Sequence, residues 1–417
     1  MTETPATSKS PGIISGTVQD LLDKYRFSEP LHVTRPTLPE LDRYTTKLVE
    51  IWRTRRLTNQ GPVHDALERN LARHLGVEHL SLTCNGTVAL QFALRTLDID
   101  GGEVITTPFT FPATIHVLHW RGIRPVFCDI EANGFNLDPA RIEALVGPDT
   151  RAILAVHTFG IPCDVAAIQS IADRHGLSVI YDAAHAFGVR VGGRTILDSG
   201  DLSVLSFHAT KTFTTIEGGA VTCSTSRQKS RVDLLRNFGI AGEETVNEPG
   251  LNGKLNELQA AFGLLKLETI DAEIEQLAKL AAIYRKELAG LDGLSFSEPM
   301  PSIDYNFGYF PILVDVNRYG MSRDQLYATL KRFNVHPRKY FHPLCSTISC
   351  YASLPSAHPD ILPVATRVAG QVLCLPIYTG LDPDDVVSVC DLLRELPGAY
   401  IRATESIEPH EAPRWRS

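Results

Sequence analysis

Six short apolar runs, parted by helical or loop segments, limit what this chain can fold into more than any other feature. They are Glu103 to Thr107, Pro125 to Ile130, Ala152 to Thr158, Leu177 to Tyr181, Leu202 to Phe207 and Gly219 to Cys223. Each has the length of a strand. Runs of this kind separated by helices predict an α/β fold: a mainly parallel central sheet with helices on both faces, receiving its ligand beyond the strand C-termini. Leu67, Leu71 and Leu75 recur every four residues in a preceding helix that ends at Gly76. Leu255, Leu258, Phe262 and Leu265, then Ile274, Leu277, Ala281, Tyr284 and Leu288, follow helical spacing and form the long connection out of the sheet.

At 417 residues the chain exceeds what one core usually supports, so two domains are expected. Residues 1–35, opening on a Thr-, Ser-, Pro- and Gly-rich stretch, read as a flexible lead-in. Residues 36–289 make the large domain with its connecting helix. Residues 290–417 make a smaller α+β domain, with a strand in Tyr309 to Val316, a helix from Ser322 to about Phe333 and a closing helix from about Asp382 to Leu396. The tail after Tyr400 is polar and receives no structure.

A net charge of -8 argues against nucleic acid or an anionic membrane as partner, since both would be repelled within a Debye length. The eight cysteines form no C-x-x-C pair and predict buried, reduced thiols and no metal site. No apolar run reaches the ~18 residues that span a bilayer, and a cytoplasmic location is expected.

The chemistry is expected where apolar runs end. Leu177 to Tyr181 delivers Asp182 to a strand terminus, followed by small residues against which something flat can lie. A buried carboxylate there needs a cationic partner. That partner is either a protonated ring nitrogen or, if the aspartate is a helix cap, a set of backbone N–H groups. Lys211 lies just past the end of the Leu202 to Phe207 run and is the only lysine between residues 49 and 227. A lysine in a partly desolvated site loses proton affinity and becomes an amine nucleophile; alone it would read as a surface residue, but beside Asp182 and Ser206 it reads as catalytic. In Ser81 to Leu90 a strand ends at Cys84 and a helix starts near Thr87, so the N–H groups of Gly86 and Thr87 are placed to hold a phosphate.

Taken in order, N-G-T-x-A-L (85–90), P-F-T-F-x-A (108–113), D-A-A-H-A-F-G (182–188), S-x-x-x-x-K (206–211) with E-G-G-A-V (217–221), and L-N-G-K-L-N-E-L-Q-A (251–260) resemble the DegT/DnrJ/StrS family of sugar aminotransferases. The likeness runs from about Pro36 to Leu396 and includes Tyr340-Phe-His-Pro343 and Leu373-Cys-Leu-Pro376. It implies a fold-type I transferase dependent on pyridoxal 5'-phosphate, which passes through pyridoxamine 5'-phosphate during turnover. By the same resemblance Lys211 is the Schiff-base lysine and proton shuttle, and Asp182 partners the pyridine nitrogen. Phe111 stacks on the ring, while Gly86, Thr87 and Ser206 bind the phosphate. Asn252 reaches the phosphate of the neighbouring subunit, which implies a homodimer with shared active sites. His185 stands where many members have glutamine near the ring, and Lys254 where many have arginine, giving a point charge in place of a bidentate fork. His208 is a possible base, read as structural. Tyr340, Phe341 and His342 are candidates for contact with a sugar nucleotide or for core.

The phrase S-F-H-A-T-K with E-G-G is similar to enzymes that aminate C4 of a dTDP-4-keto-6-deoxyhexose. The expected reaction therefore converts dTDP-4-keto-6-deoxyglucose to dTDP-4-amino-4,6-dideoxyglucose with L-glutamate as donor, for an antibiotic or a cell-surface glycan. A C3 sugar aminotransferase, an aminocyclitol aminotransferase and a non-catalytic relative on the same fold stay open. A dehydratase of the same family carries histidine in place of Lys211. A nicotinamide dehydrogenase would need a G-x-G-x-x-G after its first strand, which is absent.

Overall fold

The computed structural model describes residues 16–405, and all six apolar runs are strands in it. The large sheet comprises β1 (His79–Thr83), β2 (Glu103–Thr106), β3 (Arg124–Phe127), β4 (Thr150–Val156), β5 (Ser178–Asp182), β6 (Leu202–Ser206) and β7 (Gly219–Cys223). Their spatial order is β1-β7-β6-β5-β4-β2-β3. Only β7 opposes its neighbours, pairing antiparallel with β1 and β6. The remaining pairings are parallel, as strands joined by long crossovers must be.

Side chains alternate across a strand, so a run that is apolar at every position must be covered on both sides. Ala152 and Leu154 of β4 and Ile180 of β5 pack with Leu90 of helix α1 (Gly86–Thr96) and Val117 of α2 (Pro112–Trp120). Their neighbours Ile153, Ala155, Val179 and Tyr181 pack on the other face with Ile168 and Ile171 of α3 (Val165–His175). By the same alternation Asp182 falls on the face of Ile180, at the strand's C-terminal end. Thr83, Asp182 and Ser206 all end strands that point the same way, so one edge of the sheet gathers the chemistry.

The smaller domain is an antiparallel sheet in the order β8-β9-β10, formed by β8 (Leu294–Phe296), β9 (Phe310–Val314) and β10 (Val372–Leu375). Its core takes in Leu277, Leu280, Tyr284 and Leu288 from the connecting helix α4 (Ile270–Leu288) and Val386, Val389, Leu392 and Leu393 from α5 (Pro383–Glu405). Three expectations are corrected. The flexible lead-in up to residue 35 does not hold from Gly16 onward; residues 1–15 lie outside the described residues. Gly16–Tyr25 is a helix whose Val18, Leu21 and Tyr25 join this core, and Leu31–His32 pairs in parallel with Val335–His336. Burial of those apolar side chains outweighs the polar composition around them. The closing helix continues past Leu396 to Glu405 with Pro397 inside it. Six thiols are buried as expected, but Cys350 is exposed and Cys84 half-buried; all eight are free. No helix among the described residues is long and apolar enough to cross a membrane.

Candidate active site

Asp182 is the last residue of β5 and sits opposite Val204 of β6 in the ladder. Its carboxylate is buried and accepts two hydrogen bonds, from the Thr114 hydroxyl at 2.8 Å and from the Ala184 N–H at 3.1 Å. Burial pushes its pKa up, opposed by those two donors and by the charge of Lys211. A carboxylate has room for more than two bonds, and a desolvated one gains most from a cation. Asp182 is therefore built to receive a protonated nitrogen.

Lys211 follows the end of β6, where its own N–H donates to His208 O at 2.9 Å. Its side chain is partly buried and makes no ion pair among the described residues. Desolvation pulls its pKa from 10.5 down to about 8, with Asp182 pulling the other way. A large share of the amine is thus neutral near pH 8, the state in which it acts as nucleophile or base. The one hydrogen-bond partner of Nζ among the described residues belongs to a residue the sequence did not single out, the Tyr309 hydroxyl at 3.4 Å.

The third strand end carries the anion site. Asn85 caps α1, its side chain accepting from Val88 N–H at 2.8 Å. Neither Gly86 nor Thr87 finds an acceptor for its N–H among the described residues, so two positive dipole ends stay free. A Cβ on Gly86 would lie 3.0 Å from Ser206 Cβ and 3.4 Å from its Oγ, inside the space between the helix start and β6. The Gly-Gly after Lys211 is explained in the same way. A Cβ on Gly219 would meet the backbone of Asn85 at 2.7 Å, so β7 passes this loop only because it carries glycine there.

His185 is buried and neutral, its pKa driven well below the usual value by desolvation and then by the charge of Lys211. Its Nδ1 lies 3.1 Å from the N–H of Phe159, so Nδ1 is the acceptor and the proton belongs on Nε2. The imidazole stands among aromatic rings, 4.5 Å from Tyr309 and 5.8 Å from Phe341 between centroids. Phe111, at the N-cap of α2, is 59% exposed.

The remaining candidates divide. Asn252 is exposed, and its side chain has no hydrogen-bond partner among the described residues, although the adjacent Gly253 O accepts from Cys84 N–H at 2.8 Å. Lys254 is turned aside: Nζ donates to Asn237 at 2.9 Å and sits 4.8 Å from the centre of the Phe238 ring. Tyr340 and Phe341 belong to the aromatic group around Phe159 and Tyr309, with Phe341 in the core. His342 is exposed. His208 bonds within its own turn, to Thr210 Oγ1 at 2.9 Å, and faces Glu217 at 3.6 Å.

Two functional contacts escaped the sequence. Thr114 and Tyr309 sit inside an unremarkable helix start and strand start, and only the fold brings them to Asp182 and Lys211. The residues present fit pyridoxal 5'-phosphate on three counts: an anion cradle that a Cβ would fill, a buried carboxylate with no ion-pair partner among the described residues, and a lysine of lowered basicity whose charge that carboxylate feels.

Comparison with known proteins agrees with that fit. The sequence pattern of the DegT/DnrJ/EryC1/StrS aminotransferase family matches residues 41–394. The dTDP-4-amino-4,6-dideoxy-D-glucose transaminase of Escherichia coli is 47% identical over 362 residues, covering 87% of this chain and 97% of that one. The protein of the same description from Shigella dysenteriae is 44% identical over 370 residues, 88% and 99% of the two chains. The crystal structure of DesI in the presence of its TDP-sugar product superposes with a TM-score of 0.86 at 36% identity, covering 92% of this chain and 97% of that one.

Proposed function

Because the chain belongs to the DegT/DnrJ/EryC1/StrS aminotransferase family, we propose that it transfers the amino group of L-glutamate to C4 of dTDP-4-keto-6-deoxyglucose, giving dTDP-4-amino-4,6-dideoxyglucose. It is a pyridoxal-phosphate-dependent sugar aminotransferase. The choice of sugar and position rests on relatives at 44% and 47% identity that carry that description. The observation that carries the chemistry is the buried Asp182 at the end of β5 feeling the charge of the weakly basic Lys211, which lies just past the end of the neighbouring parallel strand β6.

When bound, pyridoxal 5'-phosphate supplies an electron-poor ring that accepts the charge left as a substrate carbon loses its proton, and a carbonyl carbon that carries the amino group. Gly86, Thr87 and Ser206 would hold the phosphate, Phe111 the ring face and Asp182 the ring nitrogen, with Lys211 at the carbonyl carbon. Asp182 must keep its charge to hold that nitrogen protonated, and its bonds from Thr114 and Ala184 favour the ionised form against the cost of burial. Lys211 Nζ takes and returns the proton, which requires an amine that is neutral for part of the time near neutral pH. His185 presents Nε2–H from an aromatic wall that excludes water from one side of the site. Glutamate as donor follows from the resemblance, and the keto-sugar then receives the amino group by the same proton route reversed.

The active unit is proposed to be a homodimer. Phe111, Phe238 and Leu251 are exposed apolar side chains, and Asn252, whose side chain has no hydrogen-bond partner among the described residues, lies beside the last of them. A cytoplasmic site of action is supported by eight free thiols.

The test is direct. Protein incubated with dTDP-4-keto-6-deoxyglucose and L-glutamate should give a product whose mass matches replacement of the keto oxygen by an amine. Lys211→Ala should lose that turnover and the borohydride-reducible tag on the Lys211 peptide. Steady turnover by Lys211→Ala would overturn the assignment.

A further inference from the structure

Tyr309 enters from the smaller domain, one residue before β9, yet its hydroxyl is the only hydrogen-bond partner of Lys211 Nζ among the described residues, at 3.4 Å. The amine lies 5.9 Å from the ring centre, so it meets Tyr309 at the hydroxyl end and not over the π face. The position of that hydroxyl is tightly set. Phe310 next to it pairs with Leu375 of β10. The ring is packed 4.5 Å from His185, 5.7 Å from Phe159 and 6.1 Å from Tyr340, between centroids. Burial drives the phenol pKa far above its usual value, so the hydroxyl stays neutral while Lys211 changes charge. A neutral hydroxyl neither keeps the proton nor adds a charge; it both accepts and donates a hydrogen bond.

Such a partner answers a problem in the reaction proposed above, on which this inference rests. Lys211 must leave the cofactor in each half-reaction and then act from one place. A freed lysine side chain recovers its rotamer entropy and has no reason to stay at its post. No carboxylate forms an ion pair with it among the described residues; Asp182 acts on it through its field.

We propose that the Tyr309 hydroxyl is the holding point for the released Lys211 amine, fixing Nζ where it passes the substrate proton. Tyr309 touches the reacting nitrogen and is in that sense a catalytic residue contributed by the smaller domain. It forms no covalent bond and takes up no net proton.

Tyr309→Phe, which keeps the ring and removes one oxygen, tests this in two measurements on the full chain. The first uses cofactor-free protein: the pH dependence of acetylation of Lys211 by acetic anhydride, read by mass of its peptide. The wild-type midpoint should lie near about 8, and the variant's should fall below it, because the ammonium loses its one N–H acceptor. The second is a single-turnover half-reaction with L-glutamate, which should slow roughly 10- to 100-fold as the base loses its position, with the KM for glutamate unchanged. Both must move. A midpoint that stays put means Tyr309 only packs, and an unchanged half-reaction means the held amine is not needed; either result overturns the proposal. Borohydride tagging of wild-type Lys211 separates the two readings, since a tag elsewhere removes the proposed function while the acetylation midpoints still report on Tyr309. If thermal unfolding shows that Tyr309→Phe is misfolded, 3-fluorotyrosine at the same position keeps the shape with a weaker acceptor and should move both readouts in the same directions.

Discussion

Asp182 is costly to keep charged, and the residue that bears the cost is Thr114, through one 2.8 Å hydrogen bond. Burial raises the Asp182 pKa and Thr114 lowers it, so Thr114→Val should raise it further. A group whose ionised form is needed works above its pKa and fails as pH falls through it, so the acid limb of activity should move to higher pH in the variant. Losing a hydrogen bond to a charged group is worth ~1.5–3 kcal/mol, which predicts cofactor retention weaker by roughly tenfold or more. Titrated activity profiles and the cofactor absorbance after gel filtration measure both. At this scale the sequence was legible in part. Asp182 and Lys211 announce themselves because each lies at the end of an apolar run in a recognisable phrase. Thr114 and Tyr309 do not, because a hydroxyl among small polar residues and a tyrosine at a strand start have ordinary structural explanations, and their partners are far away in sequence.

The element that most shapes the site is the start of α1. Its Asn85 cap, worth about 1 kcal/mol to the helix, satisfies one N–H and leaves those of Gly86 and Thr87 free, which turns a helix end into an anion site. Gly86 has no left-handed torsion, so its absent side chain matters only for space. Gly86→Ala would place a methyl 3.0 Å from Ser206 Cβ. Overpacking of this kind costs ~1–3 kcal/mol, and here the cost should fall on the bound cofactor, whose apparent Kd should rise about tenfold, while the melting temperature of cofactor-free protein changes little. Spectroscopic titration with cofactor and calorimetry separate the two. The strand-turn-helix at residues 79–96 was readable from the sequence because the apolar run, the cap and the glycine agree. The helix at Gly16–Tyr25 was not, since a short amphipathic helix in a polar context gives no sign of the core waiting for Val18, Leu21 and Tyr25 until the smaller domain has folded.

For the whole molecule, the proposed homodimer has a candidate interface in one uncovered apolar helix face. The helix Leu41–Thr54 buries one side chain, Ile51, while Leu41 and Trp52, eleven positions apart and so on one face, are 74% and 62% exposed. Trp52→Glu should shift the protein from dimer to monomer in light scattering at micromolar concentration and lower turnover with it; an unchanged dimer would place the interface elsewhere. By itself, the amino-acid order determined the parallel sheet, the sheet edge at which the candidate site lies, and the lysine and aspartate found there, because periodicity and strand-end position are local properties of the chain. Only the tertiary structure decided which hydroxyls meet those two residues, which way His185 is protonated, and that the N-terminal helix belongs to the last domain. Those contacts join segments from 26 to several hundred residues apart, and no local pattern encodes a distance that is closed by packing alone.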